Sequence, residues 1–216
     1  MAGHGNPTRK KPGHGILEQH RRTRAALLLI DVINDLEFPG SEALVRQAVP
    51  MARRIARLKA RAVTRGLPVI YVNDNFGQRR SDFRSLVEYC TSADVAGREV
   101  ADMLRPGPDD YFVLKPKHSA FFQTTLDLLL ESLGAETLIL TGLAGNICVL
   151  FTANDAYMRN FEIVVPEDCI ASNSPADNRA ALRQMRDLMD ADTTPSPRLR
   201  LRKFVRQGRR RGAPAR

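Results

Sequence analysis

The sequence predicts a single domain of the α/β class, a three-layer αβα sandwich with a mainly parallel, twisted sheet. Short apolar runs typical of buried strands alternate with amphipathic segments of helical periodicity along residues 23–195. Such alternation is typical of a parallel sheet with helices on both faces. With 216 residues, 43% of them hydrophobic, the chain is also long enough to bury one substantial core.

The predicted elements follow in order along this stretch. The first strand is entirely apolar up to Asp31, and the amphipathic helix after it ends near Gly66 and Pro68. Strands are predicted at 25–31, 68–73, 111–115, 137–141 and 161–165, and a short one could follow at 192–194. Helices are predicted at 42–65, across most of 84–104, and at 122–133, 147–159 and 176–190. Strand and helix therefore alternate as parallel pairing requires.

The positive charge of the chain is concentrated in two tails. Residues 1–24 hold six Lys or Arg against one acid, and residues 195–216 hold nine against none, so a net charge of +9 leaves a body of −5. We assign residues 1–22 to a disordered basic N-terminal tail, 23–195 to the domain and 196–216 to a basic C-terminal tail. The overall charge therefore says little about the partners of the domain.

The basic C-terminal tail is open to several interpretations. Residues 198–202 alternate Arg and Leu like an edge strand, and the basic residues at 203–211 could bind phosphates non-specifically. A solvated tail, or a segment that docks on the acidic surface of a neighbouring subunit, is the interpretation we favour over nucleic-acid binding. His4, His14 and His20 are likewise interpreted as solvated rather than as metal ligands.

Cysteine usage and hydropathy predict a cytoplasmic protein. The chain has three cysteines, an odd number that argues against a disulfide framework. Its N-terminus is polar and no apolar run approaches the roughly 18 residues of a membrane span, so neither a signal peptide nor a membrane partner is expected. A reducing compartment would also keep a catalytic thiol usable.

Three reactive side chains lie at the ends of predicted strands. Asp31 ends the first strand, Lys115 ends the third, and Cys148 follows the fourth after a Gly-containing turn. Open α/β sheets hold their ligands in the crevice outside the carboxyl ends of the strands. There the carboxylate could take the thiol proton while the ammonium stabilises both negative partners, as acyl transfer needs. Each residue alone could instead be a buried structural thiol, a helix cap or a solvated lysine.

Cys148 is expected to be the most reactive of the three cysteines. Apolar residues recur at helical spacing after Asn146, which places Cys148 in the first turn of a helix. Unpaired N–H groups and the positive end of the helix dipole favour thiolate there. We therefore expect a pKa well below the value of about 8.5 for a free cysteine.

Three ordered segments carry a resemblance to a known family. They are residues 28–35 (LLIDVIND), 115–121 (KPKHSAF) and 142–149 (GLAGNICV). With residues 152–157 and 164–168, they resemble the isochorismatase-like cysteine hydrolases across most of the chain, roughly residues 24–195.

The resemblance implies a specific site. The Asp–Lys–Cys triad of the family maps onto Asp31, Lys115 and Cys148. The family also has a non-proline cis peptide just before the nucleophile, which would here join Leu143 to Ala144. The N–H groups of Ala144 and Cys148 would then form the oxyanion hole.

Departures from the family pattern narrow the expected chemistry. The family often carries a glutamine where this chain has Ile33. Members such as nicotinamidases bind a metal through an aspartate and histidines after the second strand, but residues 73–76 (NDNF) contain no histidine. We therefore expect a site with no metal and no cofactor. True isochorismatases within the family lack the cysteine, so Cys148 indicates an amide, ureido or related C–N substrate.

Other residues near the strand ends are weaker candidates. Asn34, Asn75 and Phe76 could orient a substrate amide, or they could be turn residues. His118 lies three residues after the lysine, but the resemblance makes residues 119–121 a positioning element, and we leave His118 out of the chemistry.

The sequence therefore predicts a metal-independent cysteine hydrolase that cleaves a small amide-like C–N substrate through a thioester on Cys148. We expect a homo-oligomer, a dimer or a tetramer. One alternative is an isochorismatase-type ether hydrolase with Asp31 as the acid. Another is a catalytically silent scaffold that binds polyanions through its basic tails.

Overall fold

The computed structural model describes residues 23–74, 83–92 and 94–205. The strands are β1 Ala25–Ile30, β2 Val69–Asp74, β3 Tyr111–Lys115, β4 Thr137–Leu143, β5 Glu162–Val164 and β6 Ile170–Ala171. The helices are α1 Ser41–Val63, α2 Phe83–Ser92, α3 Arg98–Met103, α4 Leu126–Leu133, α5 Leu150–Met158 and α6 Pro175–Met189. A π-helical turn, Gly145–Val149, precedes α5, and short 3-10 turns occur at Glu167–Cys169, Ser196–Arg198 and Leu201–Phe204.

The six strands form one parallel sheet in the order β3-β2-β1-β4-β5, and the short β6 pairs with the C-terminal end of β4. Two hydrophobic clusters cover its faces. One contains the buried side of α1 with α2 and α3, and the other contains α4, α5 and α6. The predicted α/β class and layer order are confirmed.

The central strand β1 shows why the sheet is sandwiched. Leu27 and Leu29 pack into the cluster with α1, whereas Leu28 and Ile30 pack into the cluster on the other face. All six residues of β1 are buried. A strand buried on both faces reads as a continuous apolar run, and this is the pattern that the sequence displays.

Several elements differ from the sequence prediction. The helix predicted across 84–104 is divided in two because Gly97 packs against the β1–α1 loop, where a Cβ would lie 1.8 Å from the carbonyl oxygen of Asn34. The helix predicted from residue 122 begins at Leu126, whose N–H is bonded to the hydroxyl of Thr124. The strand expected at 192–194 is a single bridge between Val164 and Asp192, and β6 was not predicted.

The described part of the C-terminal segment, residues 196–205, is packed on the domain rather than free. Leu199, Leu201 and Phe204 are buried in the cluster beside α1. Arg61 on α1 donates hydrogen bonds to the carbonyl oxygens of Ser196 and Leu199, both at 2.6 Å. The alternation at 198–202 therefore reflects 3-10 turns with a buried apolar side and not an edge strand.

This packing also places residues 196–205 inside the folded unit, beyond the predicted boundary at residue 195. Val205 forms an antiparallel bridge with Thr23, and the N–H of Arg24 donates to the carbonyl of Phe204 at 2.8 Å. The remainder of both predicted tails, residues 1–22 and 206–216, lies outside the described residues.

Leu201→Ala is expected to lower the free energy of unfolding by about 2–4 kcal/mol, because it removes a buried side chain and leaves a cavity. Arg200→Ala, at the exposed neighbouring position, is the matched control and should change it by less than about 0.5 kcal/mol. Urea denaturation of the full-length protein measures both values. Equal effects of the two substitutions would contradict the packing of this segment.

No helix within the described ranges is both long and apolar enough to cross a membrane.

Candidate active site

Asp31 is fixed at the carboxyl end of β1. Its N–H donates to the carbonyl of Val72 at 2.8 Å, and its Oδ1 accepts the N–H of Asp74 at 2.8 Å. The residue has a positive φ of 52°, which turns the chain away from the strand at this point. The second carboxylate oxygen, Oδ2, lies 2.8 Å from the Nζ of Lys115. The carboxylate is therefore held by backbone on one side and by a cation on the other.

Lys115 reaches this carboxylate from two strands away. It ends β3 and is in register with Asp74 at the end of β2, so its long side chain extends across the end of β2 toward β1. Its side chain is 0% exposed, yet its Nζ lies 2.8 Å from Asp31, 3.8 Å from Asp74 Oδ2 and 3.5 Å from the Sγ of Cys148. A buried ammonium with these neighbours connects the carboxylate to the thiol.

Cys148 arrives from the other side of β1 through the turn after β4. Gly142 has a φ of 111°, and a Cβ there would lie 2.1 Å from the carbonyl oxygen of Ile30, so the close approach of β4 to β1 requires glycine. Cys148 then lies in the π-helical turn, where the carbonyl of Ala144 accepts the N–H groups of Ile147 and Val149. Such turns occur often at functional sites. The three side chains that the sequence singled out are thus in mutual contact.

Burial and charge shift the pKa values of Asp31 and Lys115. Burial raises the pKa of Asp31 above its ordinary value, although the charge of Lys115 opposes the rise. Burial alone would lower the pKa of Lys115, but the negative charge of Asp31, and that of Cys148 when its thiol is ionised, outweigh burial and raise the pKa. Lys115 therefore stays protonated, and Asp31 is a stronger base than an ordinary aspartate.

The pKa of Cys148 is shifted in the direction opposite to the expected one. Burial and the adjacent carboxylate of Asp31 raise the pKa of the thiol to about 12, and the nearby Lys115 compensates only in part. The helix-terminus argument from the sequence omitted both desolvation and the neighbouring carboxylate. Cys148 therefore rests as a thiol and needs a base to ionise it.

The expected cis peptide is also absent. The described residues contain no cis bond, so the peptide between Leu143 and Ala144 is trans. A non-proline cis bond costs about 3–4 kcal/mol and needs surroundings that enforce it. The oxyanion hole formed by the N–H groups of Ala144 and Cys148 stays a prediction.

Thr152 joins the lysine loop to the segment that carries the cysteine. Its hydroxyl is buried, donates to the carbonyl of Cys148 at 2.7 Å and accepts the N–H of Ala120 at 3.0 Å. One turn further along α5, the carboxylate of Asp155 accepts a hydrogen bond from Ser119. These contacts position residues 119–120 against the start of α5. The sequence indicated the loop but not its partners, which lie more than 30 residues away.

His118 is closer to the thiol than the sequence suggested. Its Nδ1 lies 3.9 Å from the Sγ of Cys148, and its ring lies 5.5 Å from that of Phe151. A cavity of about 230 Å³ is lined by the side chains of His118, Phe122, Phe151 and Asp155. His118 is exposed, so it lies on the solvent side of the partly buried thiol.

The weaker candidates have mixed outcomes. The side-chain oxygen of Asn34 accepts the N–H of Leu36 at 2.8 Å, so Asn34 has the turn role that the sequence left open. Asn75 and Phe76 lie outside the described residues. A substrate contact by any of the three stays a prediction.

The last two residues of β2, Asn73 and Asp74, do not fit the role of metal ligands. The carboxylate of Asp74 lies 3.8 Å from the ammonium of Lys115, which would repel a cation. Asn73 is buried and its side-chain nitrogen donates to the carbonyl of Ile33. Within the described ranges, no three His, Cys, Asp or Glu side chains come together as a ligand set.

The fold has an aspartate, a lysine and a cysteine at the ends of its strands. Together they define a hydrolase of the isochorismatase type, with a parallel sheet between two layers of helices. The Isochorismatase domain profile matches residues 25–195. The chain therefore belongs to the isochorismatase family.

Relatives support this assignment across the domain. The isochorismatase family protein YaaI of Bacillus subtilis is 44% identical over 169 residues, which are 78% of this chain and 92% of YaaI. The phenazine biosynthesis protein PhzD1 of Pseudomonas aeruginosa is 32% identical over 163 residues, 74% of this chain and 77% of PhzD1. The crystal structure of N-carbamoylsarcosine amidase from Thermoplasma acidophilum matches with a TM-score of 0.63 at 29% identity, over 82% of this chain and 98% of that one.

Iodoacetamide is expected to alkylate Cys148 before the other cysteines, because Cys148 is partly exposed whereas Cys90 and Cys169 are 0% exposed. Since thiolate is the reactive form and the pKa of Cys148 is raised to about 12, the rate should rise about tenfold per pH unit from about pH 7 to pH 9. Mass-spectrometric mapping of the adducts at each pH measures both. A plateau near neutral pH, or earlier labelling of Cys90, would contradict this prediction.

Proposed function

We propose that this hydrolase is a metal-independent cysteine hydrolase that cleaves a small amide-like C–N substrate. The observation that carries the proposal is the contact of Lys115 Nζ with both Asp31 Oδ2, at 2.8 Å, and Cys148 Sγ, at 3.5 Å. A base, a cation and a nucleophile thus share one buried site. The relation to an amidase that acts on N-carbamoylsarcosine supports a C–N bond as the target.

Acylation begins with proton transfer from the thiol of Cys148 to the carboxylate of Asp31. The raised pKa of Asp31 makes this transfer less uphill than it would be to an ordinary aspartate. The sulfur attacks the carbonyl carbon, a C–S bond forms, and the carbonyl oxygen gains the negative charge. We expect the N–H groups of Ala144 and Cys148 to hold that oxyanion, each donor typically worth about 2.7–4 kcal/mol.

Collapse of this intermediate breaks the C–N bond. The protonated Asp31 gives its proton to the departing nitrogen, and an amine leaves while the acyl group stays on Cys148 as a thioester. Water then attacks the thioester, Asp31 takes the proton of that water, and the thiol is regenerated as the acid departs. Lys115 stays protonated and stabilises the charge on Asp31 and on the sulfur in turn.

Ether hydrolysis is a second candidate, because the raised pKa of Asp31 also suits a general acid. In that reaction Asp31 would protonate the substrate and water would complete the cleavage, with no covalent bond to sulfur. A Cys148→Ser variant separates the two candidates, since it should keep full activity only on an ether.

A direct test is a mass-spectrometric screen of the intact protein with amides, ureides and hydroxamates. The expected result is a mass increase equal to the acyl group of one compound class, mapped to Cys148 and absent in Cys148→Ala. Cys90 and Cys169 serve as internal controls because both are buried. Turnover without any acyl adduct on Cys148, persisting in Cys148→Ala, would overturn the proposal.

Exhaustive chelation is expected to leave turnover unchanged, because residues 73–76 offer no imidazole. The measurement is activity before and after prolonged EDTA treatment, with elemental analysis for zinc, iron and manganese on the same sample. Loss of activity that an added metal restores would show that a metal takes part in the reaction.

A further inference from the structure

The C-terminal segment presents a row of arginines to solvent. Leu199, Leu201 and Phe204 of this segment are buried, whereas Arg198, Arg200 and Arg202 are exposed. Within the described ranges these three arginines form no ion pair, in contrast to Lys203, which pairs with Asp192 at 3.2 Å. Packing of the segment on α1 therefore fixes the backbone positions of three arginines that have no ion-pair partner among the described residues.

Helix α1 adds further arginines beside this row. Arg61 contacts the segment directly through its hydrogen bonds to two carbonyl oxygens. Arg54 and Arg57 occur at helical spacings that place them on the same side of α1 as Arg61. Arg65 lies in the turn after α1 and donates a hydrogen bond to the carbonyl of Arg61 at 3.0 Å. We call the arginine surface the set Arg54, Arg57, Arg65, Arg198, Arg200 and Arg202.

Further basic residues adjoin this end of the domain in the sequence. Because Thr23 and Val205 form an antiparallel bridge, the sequences before residue 23 and after residue 205 join the described domain side by side. Arg21 and Arg22 directly precede the bridge, and residues 206–211 contain four arginines.

This end of the domain lies opposite the catalytic crevice. The bridge precedes β1, whereas Asp31 follows it, and the six residues of β1 span about 20 Å at roughly 3.3 Å per residue. A partner bound at the arginine surface would therefore leave the crevice open.

We propose that the arginine surface binds the phosphate backbone of duplex nucleic acid without sequence preference. Arginine can donate two parallel hydrogen bonds to one phosphate. The closely spaced phosphates of a duplex can contact several neighbouring arginines at once, and each contact adds to the affinity. An anionic membrane fits less well, because Leu199, Leu201 and Phe204 are buried and cannot add an apolar anchor. A second copy of this chain also fits less well, because many of its surface acids are already paired, as in Arg24–Glu136, Arg53–Glu99 and Arg159–Asp127.

The test measures binding of the full-length protein to a labelled duplex DNA of about 20 base pairs by fluorescence anisotropy at several salt concentrations. Because each phosphate contact contributes about 0.9 to the slope of log K against log salt, the triple variant R198Q/R200Q/R202Q should reduce that slope by about 3. Its affinity at low salt should fall at least about tenfold.

The matched control is R179Q/R183Q/R186Q, which removes the same charge from exposed positions on α6, on the opposite face of the sheet. It should leave the slope and affinity nearly unchanged, and melting temperatures should show that both variants fold. An equal loss in the control would mean that binding follows net charge alone, and it would overturn the proposal.

Three further measurements decide between occupants. Tighter binding to phosphatidylserine vesicles than to DNA, lost in R198Q/R200Q/R202Q, would assign the surface to membrane and overturn the proposal. Self-association of the protein alone at low salt, lost in the same variant, would assign the arginine surface to a second copy of the chain. That result would also overturn the proposal. Iodoacetamide labelling of Cys148 should be unaffected by bound DNA, since protection would place the duplex over the crevice instead.

Discussion

Cys148→Ala is expected to abolish amide turnover, lowering kcat by roughly 10⁴-fold or more. Among the described residues, Cys148 is the cysteine in contact with both Asp31 and Lys115, whereas Cys90 and Cys169 are buried elsewhere in the core. Without the sulfur no thioester can form. Asp31 cannot replace Cys148 as the nucleophile, because its carboxylate is held by Lys115. Steady-state kinetics with the substrate from the adduct screen measure the effect.

Asp31→Asn should fail at the same step, since an amide of the same shape cannot take the thiol proton. Residues that act as one unit are strongly non-additive, so the double variant Asp31→Asn/Cys148→Ala should be scarcely slower than either single variant. Cys90→Ala is the control and should keep turnover per folded molecule. Additive losses in the double variant would contradict a shared step.

Lys115→Met is expected to lower the free energy of unfolding by about 3–5 kcal/mol and to remove activity. The ammonium is 0% exposed and Asp31 only 9%, so the substitution leaves a carboxylate buried without its partner charge. Urea denaturation measures the stability. Lys203→Met, which breaks the exposed pair with Asp192, is the control and should cost less than about 1 kcal/mol.

The double variant Asp31→Asn/Lys115→Met separates stability from chemistry. Because it removes both charges together, it should regain much of the lost stability while staying inactive. It also provides a folded reference if Lys115→Met alone unfolds. A Lys115→Met protein with normal stability and near-normal turnover would remove the lysine from the mechanism.

The sequence by itself determined the architecture and the three central side chains. Strand and helix alternate along the chain because a parallel sheet needs a crossover between neighbouring strands, so the local periodicity predicted the layers. Asp31 directly follows its strand, Lys115 ends its strand, and Cys148 follows the next one. Their convergence at one sheet edge therefore followed from strand direction alone.

The tertiary structure decided what depends on distant neighbours. The pKa of Cys148 is raised because burial and the carboxylate of Asp31, more than 100 residues away in the chain, outweigh the local helix terminus. The contact of His118 with the thiol and the link from Thr152 to Ala120 likewise join separate segments. The sequence predicted a solvated tail at residues 196–205. Their periodicity shows an apolar side, but the sequence does not show that the surface of α1 covers it. Local sequence fixes which side of a segment is apolar, whereas desolvation and charge depend on what the fold brings against it.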